Sequence, residues 1–433
     1  MLIPRYWAVY KQRFDKVDAK QIKRQATIKR YGWSNISQED ALRHAKQRVT
    51  EAHQRWQAGE DIHRLERKEL YNTELGIPIR EQILLEQSFI DPALSQGIKS
   101  SAKNTTQQVK ESTQLDKAPT QLIVTRNSYG AQVANINNIA IIDVDNDDLM
   151  AWLHPAESLF HSFIGVSKPF GEQQAAAMAV QGPEQKSWSG KSKSTINWRL
   201  WVFILGSIVI ASIIVWQSLS WSWLMGFMMG MTGIWWYGEH KRTQQLMANY
   251  QERVNKLPEV MHNLIEQRLA NYPEERFRLY QTPEGFRIIA THATLLPNDE
   301  AVKAWFEHFH ADSNYVRLCH VQQCFRARLT AKPWRMDEVM VSQQLDKTIP
   351  TTDFWLLETG SDGQDNCLVK AREEWIKQYE TFAKNYRACQ FLLELSGDKA
   401  ALNDAGIGNH KAIEDFVRWH DTACQVTLAL PLA

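Results

Sequence analysis

The sequence predicts an α+β protein with a mixed or antiparallel sheet, interrupted by a two-helix transmembrane hairpin and ended by a helical C-terminal tail. Short apolar runs bounded by turn residues recur within 121–145 and again within 276–328, as is typical of strands. Residues 200–237 contain no charged side chain, and residues 370–429 have a mostly helical pattern. Each set of strands is too small to fold alone, so one interrupted domain is favoured over two.

The composition excludes several classes of protein. The chain has 433 residues and a net charge of +1, from 50 basic and 49 acidic residues, so it is neither a polycation nor an acidic tail protein. Its length suggests about two or three folding units. Five scattered cysteines are a poor disulfide framework, which favours a reducing compartment. Charges interrupt the first residues, so no signal peptide is predicted and the N-terminus is expected to stay in the cytoplasm.

Residues 1–60 are predicted to form a basic ββα module. Ser37, followed by Asp40, predicts the start of its helix. Residues 1–56 contain 13 basic and 5 acidic residues, a net excess of 8. Strand, strand and helix with basic edges resemble the arm-type DNA-binding modules of integrases, and the same charge suits anionic lipid headgroups. Residues 5–56 are therefore a candidate surface for nucleic acid or anionic lipid, the alternative being an ordinary solvated face.

The remaining segments are assigned by composition and periodicity. They are a helical connector at 61–90, a flexible polar insertion at 91–118, the first part of the α+β domain at 119–166, a polar linker at 167–197, a helical return segment at 239–272, the second part of the α+β domain at 273–369 and a helical tail at 370–433. The two polar segments are low in apolar residues, so they are predicted to be linkers.

Residues 198–238 are predicted to be a transmembrane hairpin with helices at 200–216 and 221–237. Each helix has 17 residues, about the minimum that crosses a hydrocarbon core, and the connecting QSLS is polar. Tryptophans cluster at the ends and the centre of the block. Basic residues flank only its outer sides, at Lys191, Lys193, Arg199, Lys241 and Arg242. The pattern predicts a two-pass protein of the bacterial inner membrane with both termini in the cytoplasm and the lipid bilayer as partner. The alternative is a helical hairpin buried in a protein core.

Gly226 and Gly230 form a small-residue pair on the second predicted helix. Such a pair lets two helices approach closely, either within the hairpin or in a homo-oligomer. Packing within the hairpin is the simpler explanation, because these pairs recur by chance in apolar segments.

Asp143 and Asp145 are the best candidates for chemistry. They occupy alternate positions at the end of the apolar strand IIDVD, so both side chains are expected on one face, close enough to hold a divalent cation such as Mg²⁺. A carboxylate-bound Mg²⁺ neutralises charge on phosphate oxygens, which suits phosphoryl transfer. The alternative is a set of solvated carboxylates in a turn.

Four arginines are candidates for binding an anion such as phosphate. They are Arg287, Arg326, Arg328 and Arg335. Arg326 and Arg328 alternate along one predicted strand, as do Arg276 and Arg278, so each pair shares a face. A solvated strand face is again the alternative.

The cysteines and histidines predict a metal site only weakly. Cys319 and Cys324 could begin a zinc site, but no second close pair completes it, so burial as small apolar residues is favoured. The other cysteines, Cys367, Cys389 and Cys424, are too dispersed along the sequence to count as ligands. His420 and Asp421 are adjacent, but no nucleophile is visibly paired with them, so a catalytic triad is not supported.

The acidic strand end and the T-x-x-G turn at 282–285 resemble the palm of archaeo-eukaryotic primases. In that family a histidine usually follows the glycine turn, whereas this chain has Arg287 there and His292 farther along. The resemblance implies Mg²⁺-dependent nucleotidyl transfer.

At the level of the whole chain, eight motifs resemble a family of uncharacterised bacterial proteins. The motifs are PRYWA, RYGWS, YNTELGIPIRE, TRNSYGA, IIDVDND, YQTPEGFR, VRLCHVQQCFRARLTAKPWR and WHDTAC. They lie on both sides of the apolar block, and the resemblance implies no particular activity.

Two functions are compatible with these patterns. The first is a non-enzymatic inner-membrane protein whose cytoplasmic α+β domain binds a partner or an anionic ligand. The second is a Mg²⁺-dependent phosphoryl or nucleotidyl transferase with Asp143 and Asp145 on the metal and arginines on the phosphates. The second function requires these side chains to converge in one concave pocket.

Overall fold

The computed structural model describes residues 1–17, 23–60, 77–89, 119–153, 206, 221–336, 363–397 and 410–433. The chain divides into two compact units. The first contains residues 1–153, 167–182 and 262–433, and the second contains residues 154–166 and 183–261. All described strands belong to the first unit, where antiparallel sheets are combined with helices. The α+β class with antiparallel sheets is therefore present.

A two-stranded ribbon and one helix form the N-terminal module. Its elements are β1 (Tyr6–Val17), β2 (Lys23–Ser34) and α1 (Gln38–Gln57). The strands pair antiparallel, and alternate residues of β2, such as Ala26 and Ile28, are buried against Val49 and Trp56 of α1. This burial follows from the period of two in a strand and the apolar stripe of the helix.

Two residues fix the joint between ribbon and helix. Ser37 caps α1 as predicted, since its Oγ accepts a hydrogen bond of 3.1 Å from the backbone N–H of Asp40. Gly32 lies where β2 approaches α1 most closely. A Cβ at this position would overlap backbone atoms of Ala41 and Ala45, so only glycine fits.

The other strands form two four-stranded sheets. One sheet has the order β3 (Gln82–Phe89), β4 (Thr120–Arg126), β5 (Gln132–Ile136) and β9 (Phe325–Arg328). The other has the order β10 (Gln390–Ser396), β7 (Arg276–Thr282), β8 (Gly285–Ala290) and β6 (Ile141–Asp145). Every neighbouring pair is antiparallel. Each sheet therefore combines strands from both sides of residues 154–261.

Helices complete the first unit. They are α2 (Asn146–Leu153), α5 (Glu300–His308), α6 (Ser313–Gln322), α7 (Gly363–Ala383) and α8 (His410–Ala423), with a short 3-10 helix at Pro333–Arg335. The helix α4 (Leu257–Asn271) begins in the second unit and ends in the first. Beneath the β7–β8 hairpin, Phe277 makes edge contacts with Trp305 and Phe309, which are fully buried aromatic rings.

A buried ion pair holds the start of β7 against α4 and α5. Glu275 accepts hydrogen bonds of 2.8 and 2.7 Å from Arg268 and one of 2.9 Å from the indole N–H of Trp305. Both charged side chains are at least nine-tenths buried. Because the carboxylate is shared among three donors, it has the hydrogen bonds that a desolvated charge requires.

Two predicted helical segments contain strands instead. Within the connector at 61–90, residues 82–89 form β3, while 61–76 lie outside the described residues. Within the tail at 370–433, Gln390–Ser396 forms β10 between α7 and α8. β3 pairs with β4, and β10 pairs with β7. These backbone hydrogen bonds join segments that are distant in the sequence, so the local pattern does not predict the two strands. The predicted linkers at 91–118 and 167–197 lie outside the described residues.

The prediction of a two-pass transmembrane hairpin is contradicted. No helix that the structure describes is both long and apolar enough to cross a membrane. The second predicted span, 221–237, is the first half of a 34-residue helix, α3 (Trp221–Val254), which continues through Glu239, Lys241 and Arg242. Serine, threonine, glycine and tryptophan residues interrupt the strongly apolar side chains of its uncharged stretch. The first span, 200–216, lies outside the described residues except for Gly206.

The assignment to the bacterial inner membrane, with cytoplasmic termini, was built on that hairpin, and the same finding contradicts it. Gly226 and Gly230 lie in α3 with open space around them. Their role in a homo-oligomer stays a prediction.

The Arg268–Glu275 pair yields a stability prediction. We expect Glu275→Ala to lower the free energy of unfolding by about 3 to 5 kcal/mol, because it leaves a buried guanidinium without its partner. Urea denaturation followed by tryptophan fluorescence measures the change. Glu274→Ala is the matched control, since the neighbouring Glu274 is exposed. Equal effects of the two variants would contradict the structural role of the pair.

Candidate functional site

One cleft of the first unit contains the two aspartates and the four arginines that the sequence marks as the main candidates, whereas Arg276 and Arg278 lie outside its lining. Its volume is about 670 Å³. The lining includes Asp143, Asp145, Arg287, Arg326, Arg328 and Arg335. These side chains come from β6, β8, β9 and the short 3-10 helix, so both four-stranded sheets contribute to the cleft.

The alternation of β6 places its two aspartates at the cleft. Ile142 and Val144 are buried, whereas Asp143 and Asp145 are partly exposed and line the cleft. Asp143 lies directly opposite Arg287 in the antiparallel register of β6 and β8. Its Oδ1 is 4.0 Å from Nε of Arg287. The expected common face of the two aspartates is thus a wall of the cleft.

Asp143 has an unusual environment for a carboxylate. It lies deep in the concave surface, although 39% of its side chain remains accessible through the cleft opening. Burial raises its pKa above the ordinary value, against the lowering effect of the positive charges of Arg287, Arg328 and Lys332. Among the described residues, none donates a hydrogen bond to this carboxylate. A cation would therefore find unused ligand oxygens here.

Arg287 connects the cleft to the protein interior. Its side chain is only 3% exposed, and Nη1 donates hydrogen bonds of 3.1 Å to the carbonyl oxygen of Arg328 and to Nε2 of His420. Nε faces Asp143 and has no hydrogen-bond partner among the described residues. Although burial opposes it, the negative potential of Cys389, Cys424 and Asp143 raises the pKa of Arg287, so the side chain is a fixed cation.

Arg328 is a second cation at the cleft with unsatisfied hydrogen-bonding atoms. Its Nε and Nη1 are buried and have no hydrogen-bond partner in the described part of the chain. Burial lowers its pKa, because removal from water disfavours the charged guanidinium. An anion in the cleft would supply the missing acceptors.

The other two arginines have protein partners. Arg326 Nη2 lies 2.7 Å from both carboxylate oxygens of Glu81, a pair that joins β9 to the residue before β3. Arg335 forms an ion pair with Glu284, in the turn between β7 and β8. Their charges are therefore largely compensated within the cleft wall, unlike that of Arg328.

The T-x-x-G turn lies at the rim of the cleft. Thr282 and Glu284 line it, and Gly285 pairs with Asp145 at the end of β6. A Cβ on Gly285 would overlap the carbonyl oxygen of Val144, so glycine permits the two strands to meet here. His292 follows the opposite end of β8, where its Nδ1 is 3.0 Å from the backbone N of Arg276. It therefore does not line the cleft.

Cys319 and Cys324 do not assemble a metal site in the described part of the chain. Both are fully buried, and burial raises the pKa of each thiol, that of Cys324 to about 11. No third potential ligand joins them there. Cys324 packs in an apolar cluster with Ile3 and Ile79, whereas Cys319 lies in the lining of the cleft.

The structure instead brings together three side chains that the sequence keeps apart. The ligand atoms of Cys389, His420 and Cys424 all lie within 4.8 Å of one another, and all three residues are fully buried. Nε2 of His420 is 3.5 Å from Sγ of Cys424, and its Nδ1 is 3.1 Å from Oδ1 of Asp421. Only the spacing of His420 and Cys424, four residues apart around a helix end, was a signal for part of this cluster.

The two sulfurs of this cluster differ in their proton affinity. A hydrogen bond from Cys424, with further support from His420 and Arg287, lowers the pKa of the Cys389 thiol. Burial raises the pKa of Cys424. Because the exposed fraction of both cysteines is at most 1%, neither is open to a substrate as a nucleophile.

Asp312 and Lys332 also lie in the cleft lining, and the sequence did not predict Asp312 as a site residue. Asp312 caps α6, since its carboxylate accepts a 2.8 Å hydrogen bond from the backbone N of Asn314, and its own backbone N–H donates to the carbonyl oxygen of Asp143. Lys332 lies in the lining just before the 3-10 helix. An aspartate before a helix is expected from the sequence as a helix cap, which does not predict a binding site. The position of Asp312 in the cleft therefore follows only from the fold.

Comparison with protein-family models, curated proteins and solved structures finds no match to the chain. The resemblances to an uncharacterised bacterial family and to the primase palm therefore stay predictions.

The raised pKa of Asp143 predicts a pH-dependent stability change in Asp143→Asn. Above both the folded and the unfolded pKa, the ionised carboxylate is less favourable in the folded state, so it lowers stability. This loss of stability disappears at a pH below the pKa that the carboxylate has in the unfolded state. We therefore expect the melting temperature of the variant, relative to the unchanged protein, to be higher at about pH 7.5 than at about pH 4. Differential scanning fluorimetry at both values is the measurement, and a pH-independent difference would contradict the assignment.

Proposed function

We propose that the cleft binds a phosphate-bearing ligand together with a divalent cation such as Mg²⁺. One observation carries the proposal: among the described residues, the Asp143 carboxylate accepts no hydrogen bond and the Arg328 guanidinium has buried nitrogens without acceptors, and both side chains line the same concave surface. These are the two complementary halves of a site for a metal-bound phosphate.

The carboxylate half suits a hard cation. Asp143 and Asp145 are two residues apart on one strand face, and Mg²⁺ is usually bound by one or two carboxylates with ligand phosphates completing its octahedral shell. Burial disfavours the ionised Asp143, so a bound cation would relieve the cost of that charge. These residues are the proposed metal ligands.

The cationic half suits phosphate. Within the described part of the chain, Arg328 has two buried N–H-bearing atoms without acceptors, and Arg287 has one. A guanidinium binds phosphate oxygens through paired N–H donors, and the exclusion of water strengthens each bond. Arg326 and Arg335, already paired with Glu81 and Glu284, are proposed to shape the wall more than to bind the ligand.

A second candidate is Mg²⁺-dependent phosphoryl or nucleotidyl transfer. It is favoured by the presence of two further aspartates, Asp148 and Asp312, in the same lining, since transfer reactions use carboxylates both to hold metal and to orient the nucleophile. The partial likeness to the primase palm agrees with this candidate. Release of inorganic phosphate or incorporation of nucleotide that depends on Mg²⁺ and is lost in Asp145→Asn would support it. Turnover that persists in Asp145→Asn would count against it.

The basic N-terminal module remains a predicted surface for nucleic acid or anionic lipid. The face of the ribbon opposite α1 exposes Lys11, Arg13 and Lys29, which favours contact with an extended anion.

Binding of pyrophosphate tests the main proposal. We expect isothermal titration calorimetry on the full chain to detect binding of inorganic pyrophosphate that is stronger with Mg²⁺ than without it. Asp143→Asn should remove this Mg²⁺ dependence. Arg328→Gln should weaken binding by about ten- to a hundredfold with Mg²⁺ present, because it removes charge-assisted hydrogen bonds.

An exposed acid and base on α8 serve as matched controls. Asp415 and Arg418 form a surface pair outside the cleft lining, so Asp415→Asn and Arg418→Gln should leave the affinity unchanged. The proposal fails if the unchanged protein gives no binding signal with pyrophosphate, with ATP, or with either plus Mg²⁺.

A further inference from the structure

We infer that Cys389, His420 and Cys424 bind a thiophilic metal ion, Zn²⁺ or Cu⁺. The inference is independent of the proposed function, because none of the three residues lines the cleft. Its basis is a set of two sulfurs and one imidazole nitrogen, which is a donor combination that soft and borderline metal ions prefer.

The fold brings the three ligands together through one short contact region. His420 and Cys424 are joined by a helical hydrogen bond of 2.8 Å from the N–H of Cys424 to the carbonyl oxygen of His420, so their side chains share a face of the helix end. The N–H of Ala388 donates to the carbonyl oxygen of Cys424 at 3.2 Å, which places Cys389 beside them. The three donor atoms then lie within 4.8 Å of one another.

That spacing is close to what a metal ion requires. Ligand atoms around a tetrahedral Zn²⁺ lie roughly 2.0 to 2.3 Å from the ion, so they are separated from one another by about 3.3 to 3.8 Å. A small inward movement of side chains would complete the coordination. Backbone rearrangement is not needed, because the ligands already converge.

The imidazole is oriented as a metal ligand usually is. Nδ1 of His420 is 3.1 Å from Oδ1 of Asp421, which leaves Nε2 directed toward the sulfurs. Asp421 is itself fixed by hydrogen bonds of 2.9 Å from Arg278 and 2.8 Å from the hydroxyl of Tyr280. A carboxylate behind the histidine sets its tautomer and raises its basicity as a ligand.

Arg287 supplies the outer contacts of the cluster. Its Nη1 lies 4.0 Å from Sγ of Cys389 and 3.9 Å from Sγ of Cys424, so it can donate to metal-bound thiolates and offset their charge. A metal ion would replace its present bond to Nε2 of His420, together with the contact between that nitrogen and Sγ of Cys424. Because Nε of Arg287 also faces Asp143, metal binding would hold the arginine in place at the cleft wall.

The test is the metal content of the full chain. Protein freed of any affinity tag is incubated with Zn²⁺ or Cu⁺ under reducing conditions, desalted and analysed by inductively coupled plasma mass spectrometry. We expect about one ion per chain, and Co²⁺ substitution should give a thiolate-to-metal charge-transfer band. Retention of either ion supports the inference.

Variants locate the ion. Cys389→Ser with Cys424→Ser should lose the bound metal, whereas the control Cys319→Ser with Cys324→Ser should retain it, because that second buried pair lies outside the cluster. Circular dichroism shows whether each double variant is folded. If the cluster variant does not fold, the Co²⁺ spectrum of the unchanged protein decides.

Three outcomes would overturn the inference. They are the retention of no metal by the unchanged protein, a Co²⁺ complex without a thiolate band, and loss of the metal from the Cys319 and Cys324 control alone. Each is measured without pyrophosphate or Mg²⁺, so a failure here is separate from a failure of the proposed function.

Discussion

The pairing of β6 with β8 is the interaction on which the candidate site depends. It sets Asp143 opposite Arg287 and brings Asp145 beside Gly285, where any larger residue would push the strands apart. Cross-strand neighbours in an antiparallel sheet are fixed by register, so a slip by one residue would turn both aspartates into the core. The position of both aspartates in the cleft and the contact of Arg287 with Asp143 follow from this register.

Some charged side chains in the cleft have polar atoms without a hydrogen-bond partner among the described residues. Arg326 and Glu81 satisfy one another, as do Arg268 and Glu275 elsewhere in the unit, and such pairs are expected of buried charges. Arg328 and Asp143 are different, because each keeps polar atoms without a hydrogen-bond partner among the described residues. Sites of ligand binding are where proteins retain such unsatisfied groups, since the ligand completes them.

The sequence predicts local features of this protein better than distant ones. The strands within 121–145, the Ser37 cap and the common face of Asp143 and Asp145 follow from period and spacing, which are local properties. The strand β10 and the position of Cys389 beside His420 and Cys424 depend on contacts across long separations, and no local pattern encodes them. The prediction of a membrane hairpin depends mainly on the absence of charge, but 221–237 is part of the longer helix α3, and no described helix is long and apolar enough to cross a membrane.

Each four-stranded sheet pairs strands from both sides of residues 154–261, so some strands are synthesised before their partners. Strands β5 and β6 emerge from the ribosome before residues 154–261, yet their partners β9 and β8 emerge after them. At about 5 to 20 residues per second, translating that interval takes on the order of 5 to 20 s, during which the early edges are unpaired. The nascent chain therefore carries exposed strand edges for several seconds, and a chaperone or the ribosome surface would have to shield them until the later partners arrive.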